Sequence, residues 1–239
     1  MKAETLARRA GPPDRPSPMT RDDLRRLASF GEGRQLEFKN RVPRPERIAR
    51  EVIALANTDG GKVLIGVDDD GSVVGLKDAT EEFFALEEAL RGLVTPAVDV
   101  RTERVAVSRT REVLVVDVPA SAGRPHFLVP PRVNGQQPKR VAYVRVEDQS
   151  VEASREAVAL MKAEGRGDAV AFTFGDTERR LLEYLDRHER ITVKQYARMT
   201  KAPPWRASKA LVVLARAGVV ALHAQPGGAD YFTAGPAAR

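Results

Sequence analysis

The spacing of apolar residues between Thr20 and Glu164 alternates between helical and extended patterns. Thr20 has the position of an N-cap, with two aspartates close behind it, and predicts a helix that ends near Phe30. Apolar and charged residues alternate in Arg34–Asn40, which predicts a short strand. The further predicted elements are a helix over Glu46–Ala56, a strand, turn and strand over Lys62–Leu76, a helix near Thr80–Leu93, strands near Val98–Val107, Glu112–Pro119, His126–Val129 and Val141–Val146, and a helix near Glu152–Lys162.

The C-terminal segment has a different pattern of apolar residues. It contains a helical pattern over Asp176–His188, a short helix capped by Thr192, and a third helix that opens at Pro203-Pro204 and reaches Ala217. Two short apolar runs around a Gly-Gly turn then predict a hairpin, and three helices with a terminal hairpin is winged-helix order. The predicted class is α+β, with a flexible tail over 1–19, a mixed-sheet domain over 20–164, a linker over 165–175 and a small winged helix-turn-helix domain over 176–235.

Charge is distributed unevenly along the chain. From Asp176 to Arg239 there are 11 Lys and Arg residues against 6 Asp and Glu residues, while the whole chain has a formal net charge of +6. Most of the excess positive charge therefore lies in the last quarter, which fits a polyanionic partner such as nucleic acid. Plain solubility explains the same charge equally well.

Composition excludes several classes of protein. The chain has no cysteine, so disulfides and thiolate metal sites are excluded. No apolar run approaches the roughly 20 residues of a membrane span, and the N-terminal residues lack the apolar core of a secretory signal. We therefore expect a cytoplasmic protein with no membrane partner.

Three acidic residues and a lysine form the first candidate site. Glu37 and Lys39 are two positions apart, so a strand places both on one face. Glu32 comes just before this strand, and Asp68 ends the next apolar strand, which should lie beside it. Carboxylates that face one point hold Mg²⁺ or Mn²⁺, and a lysine beside them supports metal-assisted phosphodiester cleavage. Charged residues also commonly fill the exposed face of a strand, so the pattern alone favours a structural role.

The third C-terminal helix carries the second candidate site. Arg206, Lys209, Val213 and Arg216 recur at helical spacing and form one stripe, as major-groove docking requires. Just before this helix, Arg198 and Lys201 are placed to contact phosphates. The alternatives are a solvated helix face or a protein-binding winged helix. Trp205 could stack on a base, but a lone tryptophan at a helix start more often packs on its own domain.

Four sequence strings carry a resemblance to a known family. GEGRQLEFKN, ALANTDGGKVLIGVDDDGSVVGL, LVVDVPASAGRPHFL and YVRVEDQSVEAS occur in this order, and together they resemble the Schlafen AlbA-2 family over roughly Thr20 to Glu164. The resemblance implies a nucleic-acid-binding α+β fold. Bacterial members are usually described as DNA-binding or transcriptional regulators, whereas some animal members cleave RNA with acidic residues and a lysine.

By motif, the residues implied for cleavage fall on Glu32, Glu37 and Lys39, with Asp68 as the further acid. This sequence departs from the family pattern in the late strand, where the expected R-x-G is Arg145-Val146-Glu147. Glu147 places negative charge where a backbone would approach a ligand, although Arg145 remains a candidate phosphate contact. Its alternative role is that of an exposed strand residue.

Three hypotheses follow. The leading one is a DNA-binding regulator, with RNA as an open alternative partner and a homodimer as an open assembly. The second is a nuclease acting on RNA or single-stranded DNA, in which Mg²⁺ or Mn²⁺ is held by Glu32, Glu37 and Asp68 and Lys39 supports the reaction. The third is a protein-interaction module that senses a small ligand in the cleft between the domains.

Overall fold

The computed structural model describes residues 19–131, 139–165 and 174–238. The helices are α1 (Arg21–Ala28), α2 (Pro45–Ala56), α3 (Ala79–Leu93), α4 (Arg155–Glu164), α5 (Asp176–His188), α6 (Val193–Thr200) and α7 (Pro204–Arg216). The strands are β1 (Leu36–Lys39), β2 (Gly61–Ile65), β3 (Val94–Thr95), β4 (Arg101–Ala106), β5 (Glu112–Val118), β6 (Phe127–Leu128), β7 (Tyr143–Val146), β8 (Gln149–Glu152), β9 (Val220–His223) and β10 (Tyr231–Ala234). The predicted α+β class is confirmed. Most of the predicted tail (1–19) and of the predicted linker (165–175) lies outside the described residues.

A four-stranded sheet, in the order β1-β2-β5-β4, forms the centre of the N-terminal part. β1 and β2 are parallel, and the other pairs are antiparallel, so the sheet is mixed as predicted. One face is covered by α2 and α3, whose buried residues include Ile48, Val52 and Leu86. The other face is covered by α1 through Leu24, which packs in the same cluster as Phe38 of β1. Because side chains alternate along β1, Glu37 and Lys39 lie on the α2 side of the sheet.

A separate hairpin, β7–β8, also packs against α2. The sequence did not predict β8, because QSVE is polar and short. Its register places Arg145 opposite Ser150. This hairpin therefore carries an arginine to the same side of the sheet as Glu37.

The second strand predicted after the Asp-Asp-Gly turn is not formed as a continuous element. Two isolated bridges replace it, Val67 with Val73 and Leu76 with Glu112. Gly66 (φ +107°) and Gly75 (φ +73°) adopt conformations that interrupt an extended path. The segment therefore folds back over the end of β2 instead of adding a full strand to the sheet.

The C-terminal residues fold around their own core. Leu181, Tyr196, Leu211 and Phe232 are buried together between α5, α6, α7 and the β9–β10 hairpin. Ile191 bridges to Phe232, so the segment between α5 and α6 adds a short extended contact to this hairpin. α7 also packs on α4, where the Ser208 hydroxyl donates to Glu156. No helix among the described residues is long and apolar enough to cross a bilayer.

Candidate nucleic-acid interface

The two faces of α7 differ sharply in character. Ala207, Leu211 and Leu214 are buried in the C-terminal core, while Arg206 and Lys209 are exposed on the opposite side. Further along the same stripe, Val213 and Arg216 are half-buried. The amphipathic pattern explains this orientation, because the apolar residues fix one face against the core and leave the basic residues in solvent.

The turn between α6 and α7 presents two further cations. α6 is preceded by Thr192, whose hydroxyl caps it by accepting a hydrogen bond from the Gln195 amide, and it is followed by Lys201 in a left-handed conformation (φ 53°). Arg198 and Lys201 are both exposed. They therefore lie at the end of α6, directly before the helix that carries the basic stripe.

Trp205 lies at the start of this stripe and is 59% exposed. The expectation that it packs on its own domain is therefore wrong: Pro204 opens the helix and leaves the indole in solvent. The Arg206 guanidinium lies 5.1 Å from the centre of the indole ring, within cation–π distance. A shallow groove of about 370 Å³ runs beside them along Lys209 and Val213. The exposed face of α7 thus combines an aromatic ring with two cations.

Glu37 occupies a buried charged network rather than an open face. The residue is 5% exposed. Its Oε2 accepts a hydrogen bond from Arg145 Nη2 at 2.6 Å, and its Oε1 accepts one from Lys39 Nζ. Burial raises the pKa of Glu37, while the Lys39 contact and the Arg145 charge act in the opposite direction and the Glu51 charge adds to the rise. Both carboxylate oxygens are therefore occupied by cationic partners from the protein itself.

Arg145 is the centre of this network. Its side chain is 0% exposed and lies between Glu37 and Glu51, with Arg145 Nη1 3.3 Å from Glu51 Oε2. It also donates to the backbone carbonyls of Gly33 and Leu36. The prediction of Arg145 as a phosphate contact, and the alternative of an exposed strand residue, are both wrong, because the guanidinium faces inward to neutralise two buried acids.

Glu32 and Asp68 do not join Glu37. Glu32 is exposed, and its Oε1 accepts a hydrogen bond from the Phe38 amide at 2.8 Å. Asp68 accepts a hydrogen bond from the Asn40 side chain. Among residues 19–131, 139–165 and 174–238, no three or more histidine and acidic side chains are arranged to hold a metal ion. The predicted metal set of Glu32, Glu37 and Asp68 is therefore not assembled, since each acid is engaged by a different protein group.

Sequence reasoning missed Glu51 and Ser150, which complete the network around Arg145. Ser150 donates to Glu51, and Arg50 Nη2 lies 3.1 Å from the other Glu51 oxygen. The sequence did contain a signal for Glu51, because this residue lies among apolar residues on the buried side of α2. A charged residue in such a position needs a buried partner.

A cleft of about 550 Å³ lies between the N-terminal part and the β9–β10 hairpin. Three arginines line it, and each is paired with an acid: Arg34 Nε lies 2.6 Å from Asp59, Arg124 Nη2 lies 2.7 Å from Glu164, and Arg145 contacts Glu37 and Glu51. The positive charge of the cleft is thus already balanced, so the cleft does not single out an anionic ligand.

Comparisons with known proteins identify the N-terminal part. No curated protein matches the chain. Among solved structures, the DIP2311 protein from Corynebacterium diphtheriae is similar at 20% sequence identity and a TM-score of 0.39, over 65% of this chain and 34% of that chain. This chain therefore spans about a third of that protein. The sequence profile of the Schlafen, AlbA_2 family matches residues 32–154, just over half of the chain. The matched segment contains the sheet, α2 and the β7–β8 hairpin, and the chain belongs to the Schlafen, AlbA_2 family.

Proposed function

We propose that this protein is a DNA-binding regulator that docks α7 of a winged-helix-like C-terminal unit into the major groove. Membership of the AlbA_2 family suggests a nucleic-acid-related function. The observation that carries the proposal is the exposed side of α7, where Trp205, Arg206 and Lys209 lie together opposite the buried face. A helix of this kind, second in a helix-turn-helix pair, is the element that reads the major groove in winged-helix proteins.

The cations divide into two roles in this proposal. Arg206 and Lys209 occupy the first turns of α7, from which a recognition helix contacts base edges. Arg198 and Lys201 lie at the end of α6 and contact the phosphates that flank the groove. Because phosphate contacts release counterions, affinity should fall steeply as salt increases.

The nuclease hypothesis has less support from the geometry. A metal at Glu37 would displace the contacts that this carboxylate makes with Lys39 and Arg145, leaving a buried arginine with a single remaining acid, Glu51. Removing the partner of a buried charge lowers the stability of the fold. Among the described residues, no three acidic or histidine side chains converge in a way that could hold a metal ion.

The test compares two variants with equal loss of charge. The affinity of the full chain for a labelled mixed-sequence DNA duplex is measured by fluorescence anisotropy. Arg206→Ala combined with Lys209→Ala should weaken binding by at least about 10-fold, since one good base contact alone contributes about 1–3 kcal/mol. Arg180→Ala combined with Arg187→Ala, on the exposed side of α5, should change it far less. An unchanged affinity in the α7 variant would refute docking through this helix.

A further inference from the structure

The start of α2 and the residues directly before it carry a second concentration of arginine. Four arginines fall within ten residues, in the segment RVPRPERIAR, and Arg44, Arg47 and Arg50 recur every third position. The opposite side of α2 is completely buried through residues such as Ile48, Val52 and Ile53. The packing of α2 therefore leaves the residues at its start on the surface of the AlbA_2 domain, away from the core.

Most of this charge is not neutralised by the protein. Arg41, Arg44 and Arg47 are exposed, and none forms an ion pair with any residue that the structure describes. Arg50 reaches Glu51, but its Nε is buried without a hydrogen-bond partner. Like charges that lie close together repel, so the row is suited to a partner that supplies negative charge.

The shape beside the row also fits a nucleic-acid strand. Arg44, Arg47 and Arg50 line a shallow depression of about 420 Å³, together with Tyr143 and Leu128. Guanidinium groups match the oxygens of a phosphate with paired hydrogen bonds. An aromatic ring next to cations is a feature of surfaces that track a nucleic-acid strand. Glu46, at the edge of the depression, is the one acid among its lining residues.

We infer that the arginine row of α2, defined as Arg41, Arg44, Arg47 and Arg50, binds the phosphate backbone of the same DNA that α7 contacts. The inference rests on the proposed function and extends it to the AlbA_2 domain. The row supplies affinity that does not depend on base sequence, whereas α7 supplies the base contacts. The two surfaces lie on different parts of the chain, so they can be altered independently.

The experiment measures the salt dependence of DNA affinity for the full chain. Arg41→Gln, Arg44→Gln and Arg47→Gln are combined, and Arg50 is kept because it pairs with Glu51. Each lost phosphate contact lowers the slope of log affinity against log salt by about 0.9, so three contacts lower it by about 2.7. When salt is raised from about 50 to about 200 mM, the fold-decrease in affinity should therefore be about 40 times smaller for the variant than for the wild type.

A matched variant controls for net charge. Arg21→Gln, Arg25→Gln and Arg26→Gln remove the same charge from the exposed side of α1. The inference holds if the α2 variant lowers the slope by at least about one unit more than the α1 variant does, with an unchanged urea midpoint. Equal slopes in the two variants, with binding still reduced by the α7 substitutions, would overturn the inference and leave the proposed function standing. No binding by the wild type would overturn both.

Discussion

Replacement of Arg145 with methionine tests the buried network that joins the β7–β8 hairpin to β1 and α2. The guanidinium is fully buried and contacts the carboxylates of Glu37 and Glu51. It also donates to the carbonyls of Gly33 and Leu36 at 3.0–3.3 Å. Methionine has a similar volume and no charge, so the substitution removes every one of these hydrogen bonds without leaving a large cavity.

The expected loss follows from the two carboxylates that stay behind. Removal of one partner from a buried ion pair costs about 3–5 kcal/mol, because the remaining charge has no compensation. A domain of ordinary stability has about 5–15 kcal/mol in total, so this loss is a large fraction. The melting temperature should fall by about 6–20 °C for a chain of this size.

Urea unfolding followed by far-ultraviolet circular dichroism is the suitable assay. Fluorescence is less suitable, because the single tryptophan, Trp205, is exposed on α7 and distant in sequence from the network. Lys139→Gln is the control: it removes an exposed ion pair with Glu152 and should leave the urea midpoint close to that of the wild type.

The combination of Arg145→Met with Glu37→Gln sharpens the test. Removing the charge of Glu37 should restore part of the lost stability, so the double variant should lose less than the sum of the two single losses. A loss below about 1 kcal/mol for Arg145→Met alone would refute the reasoning, since it would mean that the two acids do not depend on the arginine.

Three further predictions concern stability. Burial raises the pKa of Glu37 above its ordinary value of 4.5. The folded chain therefore binds a proton at Glu37 more tightly than the unfolded chain does, and the stability that this proton contributes declines as pH rises above 4.5. The stability advantage of wild type over Glu37→Gln, measured by urea unfolding, should therefore shrink as pH rises above 4.5, and an advantage that grows would contradict this cause. Gly61→Ala should cost more than about 1 kcal/mol, because Gly61 has φ +153° and an added Cβ would lie 2.4 Å from the Gln35 carbonyl oxygen; an unchanged urea midpoint would show that this approach can relax. Thr192→Ala removes the cap of α6 and should cost about 1 kcal/mol, with faster amide exchange at Gln195, and unaltered exchange there would mean that the cap is not used.

Local sequence signals predicted most of the helices well. α5 has the bounds that its apolar spacing predicts, Asp176–His188, and α6 starts at the capping threonine. These features depend on residues three or four positions apart, and such contacts can be identified from the sequence alone. The C-terminal hairpin could also be predicted from local sequence, since a Gly-Gly turn separates two apolar runs.

The role of Arg145 could not be predicted in this way. Its two acidic partners are 108 and 94 residues away in the chain, on β1 and α2. The motif around Glu37 and Lys39 was interpreted as an open acidic face. Alternation along a strand indicates which residues share a face, but it does not indicate what covers that face. Here α2 and the β7–β8 hairpin cover it, and the acid becomes part of an internal ion network.

The most direct single measurement is a titration of labelled duplex DNA with the full chain in the presence of Mn²⁺, followed by recovery of the DNA on a denaturing gel. The expected result is saturable binding that weakens with salt, with all DNA recovered at full length. Absence of binding would contradict the proposed function. Cleavage that disappears in Glu37→Gln would contradict it as well, and would assign the buried acid to a nuclease site.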